Sequence, residues 1–483
     1  MPLVPFVRAL RQWAEAAPAR PALTDAGRTL SREDLERRTN RLARAYAALG
    51  VGPDRFVTIA LPNGAEFMEA VVAAWKLGAT PQPVSWRLPG PERSAIVELA
   101  DPALVVGVAP GEAAGRPAVP AGFTPDPALA DEPLPERVAA AWKAPTSGGS
   151  TGRPKLIVAG QPAEVDLELA THLRIDPEGA MVIPGPLAHN GPFSAACQGL
   201  LRGKHVVILP RFDAAETLAA VARHRADWLY LVPTMMLRIH RLPEADRRRH
   251  DLSSLRAVWH MAAPCPVWLK QAWIDWLGPE RIFELYGGTE AQAFTIITGA
   301  EWLARPGSVG RAAVGELCVL DAAGRPVPPG TVGEVFLRRA PGTPPTYRYV
   351  GAEARRRGDW ESLGDMGWLD AGGYLYLTDR QTDMILVGGA NVYPAEVEAA
   401  LEAHPKVRSS AVIGLPDEDL GNRIHALVDV DGEVDDAELA AWLRDRLAPY
   451  KLPRSYERAA EPLRDEAGKV RRSALRAARL PRP

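Results

Sequence analysis

Pro145-Thr146-Ser147-Gly148-Gly149-Ser150-Thr151-Gly152-Arg153-Pro154-Lys155 sets three glycines, four hydroxyl side chains and a lysine within eleven residues. Glycines let a backbone approach a ligand closely, the hydroxyls donate hydrogen bonds, and Lys155 brings positive charge; together they suit a polyphosphate. The stretch is not a Walker A loop, because Arg153-Pro154 interrupts the required Gly-Lys-Ser/Thr, and it does not match G-x-G-x-x-G. Composition alone equally describes a flexible Gly/Ser loop.

Working outward, the loop lies among alternating helices and strands. Ser31-Arg32-Glu33-Asp34 reads as a capping box with Asp34 in the usual Glu place, and residues 65–77 read as a helix closed by Gly78. Strand candidates fall at 57–61, 104–108, 205–209, 228–232 and 257–261, with helical stretches between many of them. This alternation predicts an α/β fold of layered sheets with substantial parallel pairing. Residues 110–136, rich in Pro, Ala and Gly, read as a surface connection. From Gly315 the texture turns to short strands (315–320, 333–338, 374–378), a β subdomain over 315–378. Beyond Arg380 comes a small α+β domain, with helices at 394–403 and 436–447 and strands near 411–413 and 424–430.

Four further segments carry possible chemistry. In Tyr286-Gly287-Gly288-Thr289-Glu290 an aromatic ring stands next to two glycines, and Glu290 offers hard oxygens to Mg²⁺; a tight turn is the bland alternative. Asp365, after Gly364, can accept both hydroxyls of a ribose, or simply mark a hairpin turn. Asp379-Arg380, followed by Gly388-Gly389-Ala390-Asn391, sits where the large part meets the small one, as a hinge or an ordinary linker would. Gly468-Lys469 lies in a basic segment near the C-terminus that also reads as a solvated tail.

The 57 basic and 59 acidic residues leave a net charge of -2, so no global field favours nucleic acid. Cys197, Cys265 and Cys318 are far apart, which argues against a disulfide framework or zinc site and fits a reducing cytoplasm. No signal peptide is apparent, and no apolar run approaches the ~20 residues of a transmembrane segment.

In this order and at this spacing, the five segments resemble the adenylate-forming superfamily of acyl-CoA synthetases, peptide-synthetase adenylation domains and beetle luciferases, from about Arg8 to Arg472. The resemblance implies a large N-terminal adenylation domain (1–378) and a mobile C-terminal lid (379–483) hinged at Asp379. It also implies roles. Thr146, Ser147, Gly148, Gly149, Ser150, Thr151, Gly152 and Lys155 would hold the phosphates of ATP. Ala262 and Ala263 would flank the adenine, with Tyr286 and Gly287 against it. Thr289 would touch the α-phosphate, and Glu290, with Thr151, would serve Mg²⁺. Asp365 and Arg380 would bind the ribose. Lys469 would be the adenylation lysine, and Gly388 and Gly389 would admit the pantetheine arm of coenzyme A. The chain departs from the family pattern in three places: Gly149-Ser150, where two hydroxyl residues are usual, and Leu363 and Asp465, where a Thr is common.

A small-molecule carboxylic acid is the implied substrate. Residues 184–203, which include His189, hold no Asp or Glu to grip an amine, so an amino acid is disfavoured. His189, Trp259 and His260, with Phe294, are candidates for the acyl pocket; a structural histidine is as good a reading of His189. Residues 148–157 and 80–85 resemble bile-acid-coenzyme A ligases, which implies a bulky hydrophobic acid of steroid or aromatic type. A carrier-protein-loading enzyme, a luciferase-like oxygenase and a non-catalytic nucleotide-binding protein are the rivals. A homodimer is one assembly the family's dimers and tetramers allow.

Overall fold

Pro21–Asp25, His205–Ile208, Ala180–Ile183, Trp228–Leu231, Ala257–Met261 and Ile282–Gly287 run parallel as neighbours in the main sheet. The computed structural model in which they lie describes residues 3–148, 154–167, 172–380, 383–387, 390–465 and 468–480. Ala180–Ile183 and Trp228–Leu231 are buried at every position, as strands covered on both faces must be. The helices Asn190–Leu201, Ala214–His224, Pro233–His240 and Val267–Leu277 return the chain between strands. Their starts are legible: Asp213 accepts from the Glu216 amide, and Pro233 opens its helix. The capping box at Ser31 and Asp34 is present and begins Arg32–Ala48.

The main sheet continues past Gly287. Antiparallel strands Phe294–Thr298, Ser308–Val314, Leu375–Arg380, Trp360–Leu369, Gly333–Arg338 and Glu316–Leu320 extend one ladder to 14 strands. The β-rich texture after Gly315 is therefore an outgrowth of this sheet, with a small apolar centre at Val309, Val319, Val335 and Leu375. Gly364 and Asp365, for which a hairpin turn is the alternative to a ribose-binding role, fall inside the ten-residue strand Trp360–Leu369. Gly364 has φ +85° and the register slips between Met366 and Gly367, so the strand is bulged where Asp365 projects.

A second, parallel sheet holds Thr80–Pro83, Phe56–Ile59, Leu104–Val106 and Ala118–Val119. The connection over 110–136 thus adds one short strand to it. Helix Arg32–Ala48 pins the rest, where Asn40 donates to Asp131 O at 2.8 Å and Arg41 to Leu129 O at 2.9 Å.

The C-terminal part has its own apolar core around Val397, Leu401, Val412, Ala426 and Leu439. Its sheet orders Val407–Asp417, Gly421–Val430 and Ser455–Arg458, flanked by helices Pro394–Glu402 and Asp436–Arg444. Among the described residues no helix is long and apolar enough to cross a membrane.

Candidate active site

The carboxyl ends of adjacent parallel strands are where an α/β sheet opens a crevice. Ile183 leads to His189, Leu231 to Thr234, Met261 to Ala262, and Gly287 to Thr289 and Glu290. These positions, far apart in sequence, therefore meet along one edge of the sheet.

The described part of the phosphate-loop candidate is a pair of strands: Thr146–Gly148 pairs antiparallel with Pro154–Ala159, with Ser147 opposite Lys155. Gly149, Ser150, Thr151 and Gly152 lie outside the described residues, as do Gly388 and Gly389; of Ser147, Gly148, Asp379 and Arg380 only the backbone is described. The hairpin base is fixed by Gln82, which donates to Thr146 Oγ1 at 3.3 Å and accepts from the Thr58 hydroxyl.

Glu290 sits in the loop between Ile282–Gly287 and Phe294–Thr298, only 5% exposed. Tyr349 donates to its Oε1 at 2.5 Å, and Lys155 Nζ stands 3.6 Å from the same oxygen and 4.0 Å from the Tyr349 ring centre. Lys155 thus bridges the phosphate hairpin and the Glu290 loop. On the neighbouring strand, Tyr286 donates to Asp365 Oδ2 at 2.8 Å. Asp365 in turn lies opposite Arg380 in the ladder, and Met366 opposite Asp379. Ala262 has φ +75°, a conformation unusual for a residue with a Cβ, so Ala263 follows a sharp turn at the strand end.

The lid reaches this edge. A Cβ on Gly468 would come within 2.8 Å of Thr234 Oγ1, so the backbone before Lys469 lies directly on the start of helix Pro233–His240. Burial pushes the His189 imidazole below its usual pKa; Asp465 opposes that, and Lys469 and Arg471 reinforce it. Lys469 and His189 therefore share one electrostatic neighbourhood. Arg471 also meets Glu92 at 3.8 Å. The aspartate at position 465 makes the turn: its Oδ1 accepts from the Lys469 amide at 2.9 Å.

The three acyl-pocket candidates do not share one wall. Successive residues of a strand point to opposite faces. Trp259 lies beside Tyr230, its register partner, whose ring is packed under Gly191 next to His189. His260 lies beside Glu284, which Lys270 holds at 2.6 Å. His260 is fully buried there, and burial, then Lys270, drives its pKa well down. The expectation that His260 lines the pocket with Trp259 is thereby corrected. Phe294, opposite Gly287, packs edge-on to His172 with ring centres 5.3 Å apart.

Lys143 and Asn63 were not singled out from the sequence. Lys143 is 8% exposed; its ammonium donates to Asn190 Oδ1 and, at 2.8 Å, to Ser194 Oγ. Burial pushes its pKa down to about 7, against the pull of Cys197 and Glu290. Asn63 holds the strand-to-helix loop that presents His189, donating to Gly185 O at 2.8 Å and accepting from the Leu187 amide at 2.8 Å. A lone lysine in an apolar stretch, two residues before Pro145, was the available signal for Lys143; Asn63 had none.

Comparison with known proteins gives a consistent picture. Residues 10–347 match the AMP-binding enzyme family, and residues 396–469 match the AMP-binding enzyme C-terminal domain. A feruloyl-CoA synthase of an Amycolatopsis species is 33% identical, covering 92% of this chain and 93% of that protein. A sulfoacetate–CoA ligase of Cupriavidus necator is 30% identical over 96% of this chain and 95% of its own length. The o-succinylbenzoate CoA synthetase of Bacillus subtilis, solved with the acyl-adenylate intermediate OSB-AMP, superposes with a TM-score of 0.82 at 25% identity, covering 98% of each chain.

Proposed function

The chain belongs to the AMP-binding enzyme family and is an ATP-dependent acid–CoA ligase that works through an acyl-adenylate; from that premise we propose that its acid is aromatic, and that the residues gathered at the sheet edge carry the two half-reactions. The observation that supports the aromatic class is a row of rings on four neighbouring strands: Tyr230 beneath Gly191, Trp259 stacked on Phe283 with centres 5.0 Å apart, and Phe294 against His172. The relatives named above that act on a feruloyl or succinylbenzoyl acid favour the same class over a steroid.

In the first half-reaction a carboxylate oxygen of the acid bonds to the α-phosphorus of ATP, and the bond to pyrophosphate breaks. In this reading Lys155 and the hydroxyls of the loop neutralise the departing phosphates, Asp365 and Tyr286 hold the nucleoside, and Lys469 faces the charge that builds at the α-phosphate. Glu290 suits one hard ligand of a Mg²⁺ carried on the phosphates: its Oε1 is engaged by Tyr349, while Oε2 faces the Gly288 backbone. Such an ion would offset phosphate charge.

In the second half-reaction the coenzyme A sulfur bonds to the acyl carbon, its proton is released, and AMP departs. The lid turns about Asp379, withdraws Lys469, and presents the segment around Ala390 to the thiol's path. The proposal includes a reducing cytoplasm, in which Cys197, Cys265 and Cys318, all free, persist as thiols.

The deciding experiment measures AMP release from ATP with and without coenzyme A, across hydroxycinnamic, benzoic, fatty and bile acids. The expected result is coenzyme A-dependent release with kcat/KM highest, by about tenfold or more, for an aryl acid. A bile or fatty acid as best substrate would overturn the aromatic assignment. An adenylate that coenzyme A fails to discharge would overturn the thiol half-reaction.

A further inference from the structure

The turn that carries Lys469 is closed on itself. The Asp465 amide donates to Lys469 O at 2.9 Å, and Gly468 N returns to Asp465 O at 2.9 Å. An arginine flanks the turn on either side, and both run to the same buried carboxylate. Arg472 Nη2 lies 2.8 Å from each oxygen of Glu398. Arg464 Nη2 reaches Glu398 Oε2 at 3.1 Å and Glu402 Oε1 at 3.0 Å, while its Nη1 holds Gly468 O at 3.3 Å. Glu398 and Glu402 are one turn apart on helix Pro394–Glu402, so they present neighbouring carboxylates to the pair.

Glu398 is 3% exposed and also accepts from the Val412 amide at 2.8 Å. Burial pushes its carboxyl pKa up, but Arg472 and Arg464 outweigh that and hold it below the usual range. It is thus a charged anchor in the lid core, sitting among groups that need the charge. Arg472 further donates to Asp383 Oδ2 at 2.8 Å, four residues past Asp379. The stems of the lysine turn, helix Pro394–Glu402 and the chain just beyond the hinge position are therefore one bonded unit.

We propose that Glu398 is the positioning residue for Lys469, fixing both stems of its turn through Arg464 and Arg472 so that the turn seats on Thr234 with the lysine at a set height over the nucleotide edge. The inference rests on the reading of Lys469 as the adenylation lysine. A lysine has four flexible carbons, so the backbone beneath it sets the point from which the ammonium reaches. Rigid support of a reacting group is worth large factors in rate, whereas the same support is idle once the lid has turned and Lys469 has left the site.

The test separates the half-reactions in Glu398→Gln, Glu398→Asp and Arg472→Lys, with Lys469→Ala as the control. Adenylation is followed by acid-dependent exchange of pyrophosphate into ATP, and thioester formation by discharge of a supplied acyl-adenylate to coenzyme A. Glu398→Gln is expected to lose on the order of ten- to a hundredfold in adenylation kcat, with KM for ATP and acid little changed and discharge within about threefold of the parent. Glu398→Asp and Arg472→Lys should recover part of the adenylation rate, since charge is kept while bidentate geometry is not. Equal losses in both half-reactions, or none in either, would overturn the inference. If Lys469→Ala itself leaves adenylation intact, the underlying reading fails. If Lys469→Ala abolishes adenylation while the Glu398 and Arg472 variants match the parent, the inference alone fails.

Discussion

The Tyr286 hydroxyl donates to Asp365 at 2.8 Å, tying the end of the last parallel strand to the bulge of an antiparallel strand 79 residues later. The carboxylate proposed to hold the ribose is thereby aimed by the ring proposed to face the base. Tyr286→Phe keeps the ring and removes the aim. Such a bond is worth about 1 kcal/mol, so the KM for ATP should rise about fivefold with kcat little changed. A change confined to the KM for the acid would refute this pairing of roles.

Lys143 gives a pH signature. Its ammonium pKa is held at about 7 by burial, below the usual lysine value of 10.5. Below pH 7 folded and unfolded chains both keep the proton, and the folded state bears the full cost. Between about 7 and 10.5 the unfolded chain alone is protonated, so stability rises with pH. Lys143→Met removes this dependence. Relative to the parent it should be more stable at pH 6 than at pH 9, by roughly 2–3 kcal/mol for two pH units of linkage. Urea melts at the two pH values measure the difference, and an identical offset at both would contradict the buried-ammonium account.

Lys270 and Glu284 form an ion pair behind the site, with side chains 1% and 7% exposed. Burial raises the Glu284 pKa, and Lys270 opposes that rise. Lys270→Met leaves the carboxylate unpaired and should cost about 3–5 kcal/mol at pH 8. Glu284 can then be neutralised by a proton, so its folded pKa climbs and the loss should shrink as pH falls toward 5. Adding Glu284→Gln should restore much of the stability at pH 8. A single mutant as stable as the parent at pH 8 would show the pair to be dispensable.

The local chemistry of the fold was legible where it depends on near neighbours in sequence. Ser31 with Asp34 and the strand Ala257–Met261 each declare themselves within a few residues. What depends on register was not. Nothing in Trp259-His260 says which ring faces the helix at His189; only pairing with Tyr230 and Glu284 assigns the faces. Gly364-Asp365 has the composition of a turn, and it takes strand pairing on both sides to make it a bulge. Lys143 and Glu398 owe their character to burial among partners distant in sequence, which no local pattern encodes.

The pivot proposed at Asp379 is a residue that is still part of a β-ladder. Met366 lies opposite Asp379, and Asp365 opposite Arg380. A lid on a slack tether would swing alike in the empty and the nucleotide-bound enzyme. In the proposed reading the axle and the ribose cradle are cut from the same two strands, so that loading the cradle would stiffen the axle. On that reading, nucleotide occupancy and the freedom of the lid to change partners would be set by a single stretch of backbone.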